Sequence, residues 1–450
     1  MSDPFDQSAL ERRAEALVAA ARAAGADAAD AVALRGVSVS AEVRLGALEE
    51  LERAEGDDLG LRVLIGRRQA VVSTSDPDEV GYKALAERAV AMARTAPEDP
   101  HARLARADEM ARDRADLDLV DRGEIDAETL IARAKQAEDA ARAVPGVTNS
   151  GGASASWSLG GMVLATSAGF LGSYLVSRHG LSCSAIAGEG TRMERDYDAI
   201  SSLHLADLPA AETIGKRAAE RAVRRLGPRK LETQQMPIIY DPRVANSLVG
   251  HLAGAVNGAT IARNASFLQN YLNERVFPAG VRILDDGLRR RGLRSRPFDA
   301  EGIATKPLDL VEDGVLRHWI LDLATASELG LSTTGHAQRG VASTPSPGTT
   351  NLALMPGTVT PEELLRETGR GLYVTELIGR GVNSVTGDYS RGAAGFLIED
   401  GTLGEPVSEI TLAGNLKDMF ATLTPADDLE WRYGINAPTV RVEGVTVAGR

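Results

Sequence analysis

Six histidines, one cysteine and one glycine-rich polar run are the places where residue type and spacing could support chemistry in this chain of 450 residues. The histidines are His101, His179, His204, His251, His318 and His336. A helical zinc peptidase site needs two imidazoles on one helix face and a carboxylate beside them to activate water. No His-Glu-x-x-His occurs, and no two histidines fall within five positions of each other. His251 stands on an expected helix among Gly250, Leu252, Ala253, Gly254 and Ala255, none of which offers a side-chain ligand, so it reads as a satisfied structural histidine. His179 and Cys183 are four positions apart. On a helix they would adjoin; in a strand-rich stretch they share a face but lie too far apart for one metal. A nucleophilic thiolate needs a base or a positive field beside it, and His179 is the one local candidate.

Phosphate loops and a nucleophile elbow are missing: no P-loop, no G-x-G-x-x-G after a strand and no Gly-x-Ser-x-Gly occurs. Gly151-Gly152 and Gly160-Gly161 read as turn glycines between strands. The densest run is residues 379–396, where glycines separate Asp388, Tyr389, Ser390 and Arg391. Read as a loop, it either holds an extended peptide through backbone hydrogen bonds or forms a structural corner in which Asp388 pairs with Arg391. Asp388, Tyr389, Arg391 and His251 are the candidate substrate or interface contacts; no residue stands out as catalytic or as a metal ligand.

The elements that must position these residues follow from periodicity and punctuation. Ser8-Ala9-Leu10-Glu11 fits a capping box, and Leu10, Ala14, Leu17, Val18 and Ala21 continue at helical spacing. Residues 30–45 are extended, residues 61–65 and 69–74 flank Gly66-Arg67-Arg68 as a hairpin, and Asp76-Pro77 opens a helix to about Thr95. Residues 97–116 read as a connection. Asp126 caps an alanine-rich helix that stops before Pro145-Gly146, residues 147–204 read as an antiparallel meander, and a basic helix spans about 209–226. Its Lys216, Arg217, Arg221, Arg224 and Arg225 read as a solvated face. Gly227-Pro228-Arg229-Lys230 marks the expected boundary between an N-terminal α+β domain, 1–227, and a β-rich C-terminal domain, 228–450. Residues 236–240 form a short buried strand, Asp241-Pro242 opens a helix to about Asn257, and later helical periodicity appears near 322–329 and 361–369.

Composition narrows the function classes. There are 50 Lys+Arg against 63 Asp+Glu, a formal charge of −13, which argues against sequence-independent nucleic-acid binding and against an anionic membrane surface. One cysteine excludes an internal disulfide and a cysteine-rich metal cluster. Aromatic residues make up 4%, too few to favour a stacking platform for bases. No apolar run is long enough for a membrane helix, and the acidic, polar start Met1-Ser2-Asp3-Pro4-Phe5-Asp6 lacks the pattern of a secretory leader. The expectation is a cytoplasmic protein.

Several ordered motifs carry a resemblance. They are Met193-Glu194-Arg195-Asp196-Tyr197, Pro228-Arg229-Lys230-Leu231, Pro297-Phe298-Asp299-Ala300-Glu301-Gly302 and Ser332-Thr333-Thr334-Gly335-His336-Ala337. The run from Gly387 to Phe396 and the run from Pro406 to Met419 complete the set. Together, over nearly the whole chain, they resemble the TldD/PmbA metallopeptidase family. The resemblance implies an N-terminal α/β domain followed by a barrel-like C-terminal domain. It also implies a heterodimeric zinc peptidase of the bacterial cytoplasm that acts on unfolded or small peptides, in a family once labelled modulators of DNA gyrase. One subunit type of that family carries His-Glu-x-x-x-His on a helix and a cysteine near its C-terminus. Here the corresponding helix, residues 247–256, has His251 alone, and residues 431–438 have no cysteine. The expectation is a non-catalytic subunit without a cofactor of its own. It would pair with a zinc-bearing TldD-type subunit, or with itself, around an unfolded peptide substrate. Two alternatives stay open: an independent peptidase in which His251, His318 and His336 converge, and a homodimeric peptide-binding or regulatory protein.

Overall fold

The computed structural model describes residues 6–76, 78–113, 115–123 and 125–449. The first half is built on one antiparallel sheet in the order β3-β2-β1-β4-β5-β6. Its strands are β1 (Ala28–Arg44), β2 (Ala47–Ile65), β3 (Arg68–Thr74), β4 (Val147–Thr166), β5 (Leu171–Ala187) and β6 (Glu194–Ser202). Successive side chains on a strand point to opposite faces. Ala29, Ala31, Ala33, Val39, Ala41 and Val43 of β1 therefore share one face. Its two ends pack under α1 (Ser8–Ala23) with α2 (Tyr82–Thr95) and under α3 (Ala127–Arg142) with α4 (Ala211–Arg224). Val32 of β1 and Leu164 of β4 belong to the other face, where they meet Phe298 and Val341 of the second half.

Several expectations are corrected here. Ser8 lies inside α1 behind Gln7, which makes no side-chain cap; its hydroxyl bonds Asp6, and Glu11 instead accepts from Ser173 Oγ at 2.6 Å. The expected helix start at Pro77 lies outside the described residues; a short 3-10 turn, Glu79–Gly81, precedes α2. The four expected turn glycines sit within β4. Gly151 and Gly152 fall at a register shift, and Gly160 and Gly161 pair in mid-strand with Gly36 and Arg35. A Cβ on Gly161 would fall 2.5 Å from the Gln7 amide and 2.8 Å from Leu175, so glycine there clears room for the end of α1. Asp126 does cap α3, accepting from Thr129 N at 2.7 Å. The turn between β1 and β2 is fixed from afar: buried Glu138 of α3 accepts from Leu45 N and Gly46 N at 2.7 and 2.8 Å. Beyond it, among the described residues, 47–58 pair only with β1, because β3 reaches only Leu59 to Ile65.

In the second half, β7 (Gln234–Tyr240) leads into α5 (Pro242–Ala255) and α6 (Gly258–Ala262). A small sheet follows, built from β8 (Ile283–Asp285), β9 (Leu308–Glu312), β10 (Val315–Leu316), β13 (Leu352–Leu354) and β18 (Ile435–Asn436). It is accompanied by a two-residue ribbon of β11 (Ala337–Gln338) and β12 (Ser346–Pro347), and by α7 (Leu323–Glu328) and α8 (Pro361–Thr368). The C-terminal region holds a closed five-stranded barrel. β14 (Gly371–Val382), β15 (Asp388–Glu399), β16 (Thr402–Asn415) and β19 (Val440–Ala448) join β7 in the order β16-β15-β14-β7-β19, and β16 pairs with β19. β17 (Thr424–Pro425) flanks β19, and α9 (Leu416–Ala421) follows β16. Leu248, Val249 and Leu252 of α5 pack with Ile238, Leu372, Val374 and Leu412 in one core.

Ionic contacts join the halves. Asp30 of β1 is 2% exposed and accepts from Arg62 Nε and Nη2 at 2.8 and 2.6 Å, and from Arg339, which reaches in from the second half. Burial pushes the Asp30 carboxyl up, but the two guanidiniums outweigh it and hold it below the usual carboxylate range. For Arg339, burial wins: it is pulled below the usual arginine range, and its Nε and Nη2 have no hydrogen-bond partner among the described residues. At the other end, Asp198 of β6 accepts from Arg221 of α4 at 3.0 Å and from Arg432 at 2.8 Å, and Arg243 of α5 reaches Asp196 at 2.8 Å. The arginines of α4 are therefore more than a solvated face. Gly60 of β2 lies so close to the second half that a Cβ would fall 2.1 Å from Val341 O.

Candidate functional site

Asp241 caps α5 by accepting from Arg243 N at 3.0 Å, and Pro242 takes the first turn, where its missing N–H costs nothing. The cap fixes where β7 ends and aims α5 across one end of the barrel. His251, two turns on, faces Tyr389 of β15 edge to face with ring centroids 6.1 Å apart. Burial, with the Arg391 charge adding to it, pushes His251 down to about 4, so its imidazole is neutral near pH 7. Its Nε2 is buried with no hydrogen-bond partner among the described residues, which corrects the expectation of a satisfied histidine.

The run 379–396 is the end of β14, a turn and most of β15 rather than a loop. Tyr389 is 2% exposed, and burial pushes its phenol up to about 12. Tyr240, the last residue of β7, is fully buried and shifted the same way by burial. The two phenol oxygens neighbour one another outside conventional hydrogen-bond geometry. Asp388 is exposed and does not pair with Arg391; it accepts from Thr386 Oγ1 at 2.6 Å and Asn415 Nδ2 at 3.2 Å. Arg391 is half-buried and donates from Nε to Ile378 O at 3.3 Å. His251, Tyr389 and Arg391 thus come together where α5 crosses the barrel, and Asp388 lies outward on the hairpin.

Beside them runs a groove of about 260 Å³ between α5, β14 and β6. It is lined by Asn246 and Ser247 of α5, Thr375 and Glu376 of β14, Arg195 of β6, and Arg391. Arg225 also lines it and binds Glu376 at 2.5 Å. The isolated residues did not single out Thr375 or Arg195, and Arg225 was read as part of a solvated face; the run Met193 to Tyr197, prominent among the shared motifs, was the available signal for Arg195. The other pair stays inert: His179 is buried 3.3 Å from Asp121, off hydrogen-bond geometry, and burial pushes the Cys183 thiol up to about 12.

Zinc does not fit the residues present on α5, which offers one imidazole and no carboxylate, thiolate or second imidazole. Among the described residues no three His, Cys, Asp or Glu side chains come together as metal ligands, so His251, His318 and His336 do not form such a group. Among them, too, no helix is long and apolar enough to cross a membrane.

Fold and site together define an α+β protein whose closed barrel is crossed at one end by a helix beside an arginine-lined groove. Family models of the PmbA/TldA metallopeptidase match in order: domain 1 over residues 29–93, the central domain over 121–226 and the C-terminal domain over 233–449. The chain is 37% identical over 426 residues to the metalloprotease PmbA of Escherichia coli O157:H7, covering 94% of this chain and 93% of that one. A candidate modulator of DNA gyrase from Bacteroides thetaiotaomicron superposes with a TM-score of 0.90 at 26% identity, over 98% of this chain and 99% of that one. TldE from Thermococcus kodakarensis shares the fold, with a TM-score of 0.87 at 19% identity over 98% of this chain and 100% of that one. This chain belongs to the PmbA/TldD metallopeptidase family.

Proposed function

We propose that this chain is the non-catalytic, TldE-type subunit of a cytoplasmic zinc peptidase complex. In it the chain holds unfolded peptide while a TldD-type partner supplies the zinc. The observation that carries the reading is the chemistry of α5: where the family resemblance places a metal motif, His251 stands alone among glycine, leucine and alanine. Metal-assisted peptide hydrolysis needs a Lewis acid and an activated water, and a single neutral imidazole without a neighbouring carboxylate supplies neither. What this chain's residues can do is hold. The barrel end presents a strand edge and a guanidinium to an extended chain, and a backbone edge binds such chains with little regard to sequence.

The test is cleavage of an unstructured peptide by this chain supplied with zinc, by a TldD-type partner, and by the mixture. Activity that depends on the partner, and is raised by adding this chain, is the expected result. Zinc-dependent cleavage by this chain alone, lost in His251→Ala, would overturn the reading in favour of an independent peptidase. Tight peptide binding by a self-paired chain that does not associate with a TldD-type partner would replace it with a homodimeric scaffold.

A further inference from the structure

β7 leaves the barrel wall at Tyr240, where it turns into α5. β14 continues: among the described residues it pairs with β7 only over Leu372, Tyr373 and Val374, and beyond them Glu376, Leu377, Ile378, Gly381 and Val382 have β15 as their one strand partner, with Thr375 at a register shift of that ladder. The groove lies where β7 would have continued, with Thr375, Glu376 and Leu377 on one side and Val244, Asn246 and Ser247 of α5 on the other. An unpaired strand edge presents a row of backbone donors and acceptors that an added strand can satisfy.

Two further observations say what the added strand must carry. The Thr375 hydroxyl is buried without a hydrogen-bond partner among the described residues, an unmade bond that costs stability until a ligand makes it. Arg391 lies on the face of β15 that holds buried Tyr389 and Ala393, yet among the described residues no carboxylate lies within ion-pair distance of it. Taking a guanidinium out of water costs less when an anion pairs with it. The two more deeply buried arginines at this groove are paired: Arg225 takes Glu376, and Arg243 takes Asp196 and Asp241. Arg195, on the far rim, also has no carboxylate within reach among the described residues. His251 is neutral near pH 7 and does not compete for an anion's partner. The groove thus combines a free edge, an orphaned hydroxyl and uncompensated positive charge.

We propose that this groove seats the last residues of an extended peptide as a strand added to β14, with the peptide's terminal carboxylate on the Arg391 guanidinium. The inference rests on the peptide-holding reading above and deepens it by assigning the end of the peptide that is held. A guanidinium fork matches a carboxylate in geometry and charge. An aspartate or glutamate side chain presents the same chemistry, so the experiment separates the two sources.

The full chain is titrated against an unstructured ten-residue peptide labelled at its N-terminus, read by fluorescence anisotropy. The peptide is made in three forms: with a free C-terminus, with a C-terminal amide, and as the amide with aspartate as its last residue. The free acid is expected to bind about tenfold tighter than the plain amide, the worth of one charge-assisted contact. Arg391→Gln should abolish that preference, and Arg391→Lys should keep part of it. Thermal unfolding of each variant guards against misfolding, and the acid-against-amide comparison in the unaltered chain decides without any variant. Equal binding of acid and amide, or a preference that survives Arg391→Gln, overturns the inference and leaves the peptide-holding reading standing. An aspartyl amide that binds as well as the free acid overturns the assignment to the terminus. Failure of all three peptides to bind overturns both.

Discussion

Asp30→Asn is the most exacting perturbation of the joint between the halves. Asp30 takes hydrogen bonds from Arg62 Nε and Nη2 and from Arg339 Nη1, and the three side chains are 2%, 4% and 0% exposed. An asparagine keeps the shape but removes the one negative charge among them, and its amide N–H₂ must face a guanidinium. Breaking a buried ion pair from one side costs about 3–5 kcal/mol, because the surviving charge stays buried. Here two cations survive, and Arg339 already has two nitrogens without partners. Against a total stability of about 5–15 kcal/mol, that is a large share. The assay is urea unfolding followed by far-UV circular dichroism and tryptophan fluorescence. The control is Glu55→Gln, which breaks the Arg53–Glu55 pair; both side chains there are more than half exposed, and the expected cost is below about 1 kcal/mol. A loss for Asp30→Asn no larger than the control's would refute the reasoning. Combining Asp30→Leu with Arg62→Met and Arg339→Met should recover most of the loss, because the triple change removes every charge of the triad at once.

Other expectations follow from the same structure. The Asp30 carboxyl is held below its ordinary range, so it stabilises the fold above its unfolded value and loses that contribution as pH falls through the lower folded value; the unaltered chain should weaken below about pH 4, and Asp30→Asn should flatten that limb of the stability curve. His251 is pushed down to about 4, so between about pH 6.5 and that value the unfolded chain binds the extra proton; stability falls as pH drops through this window, and in His251→Phe that part of the slope should vanish. Cys183, with its thiol pushed up to about 12, should resist a disulfide reagent at neutral pH in the folded chain and react fully in denaturant. Gly60→Ala should cost about 1–3 kcal/mol in thermal or urea unfolding, because its Cβ meets the backbone of Val341 and neither strand nor loop can yield cheaply.

What could be read from the sequence depended on whether the cause was local. The Asp126 cap, the hairpin at Gly66-Arg67 and the Asp241-Pro242 helix start each rest on a few neighbouring residues, and each stands in the structure. The outer part of β2 was invisible because residues 47–56 are exposed on both faces and carry no apolar alternation. The Gly-Gly pairs of β4 misled because glycine marks a turn and a close approach equally well, and the group approaching Gly161 comes from residue 7. Of the four candidate site residues, three meet at the barrel end. Their meeting depends on β7 ending where α5 begins, which no spacing reveals. Arg217 and Arg221 of α4, and Arg225 just past its end, looked solvated because their carboxylate partners lie on β6 and β14.

The latch that Glu138 places on the β1–β2 turn has a consequence for how this molecule behaves in a crowd. It holds out a stiff arm, residues 47–56, whose outer backbone edge is open and whose Leu48 and Leu51 are exposed. Such an arm is a ready template for stacking one copy on another. Glu49, Glu50, Glu52 and Glu55 stand along it against Arg53 alone, so two arms meeting edge to edge would repel. Their mutual repulsion opposes that stacking as long as salt does not screen it. Concentrated salt strips that protection, and clumping of the native protein should begin there.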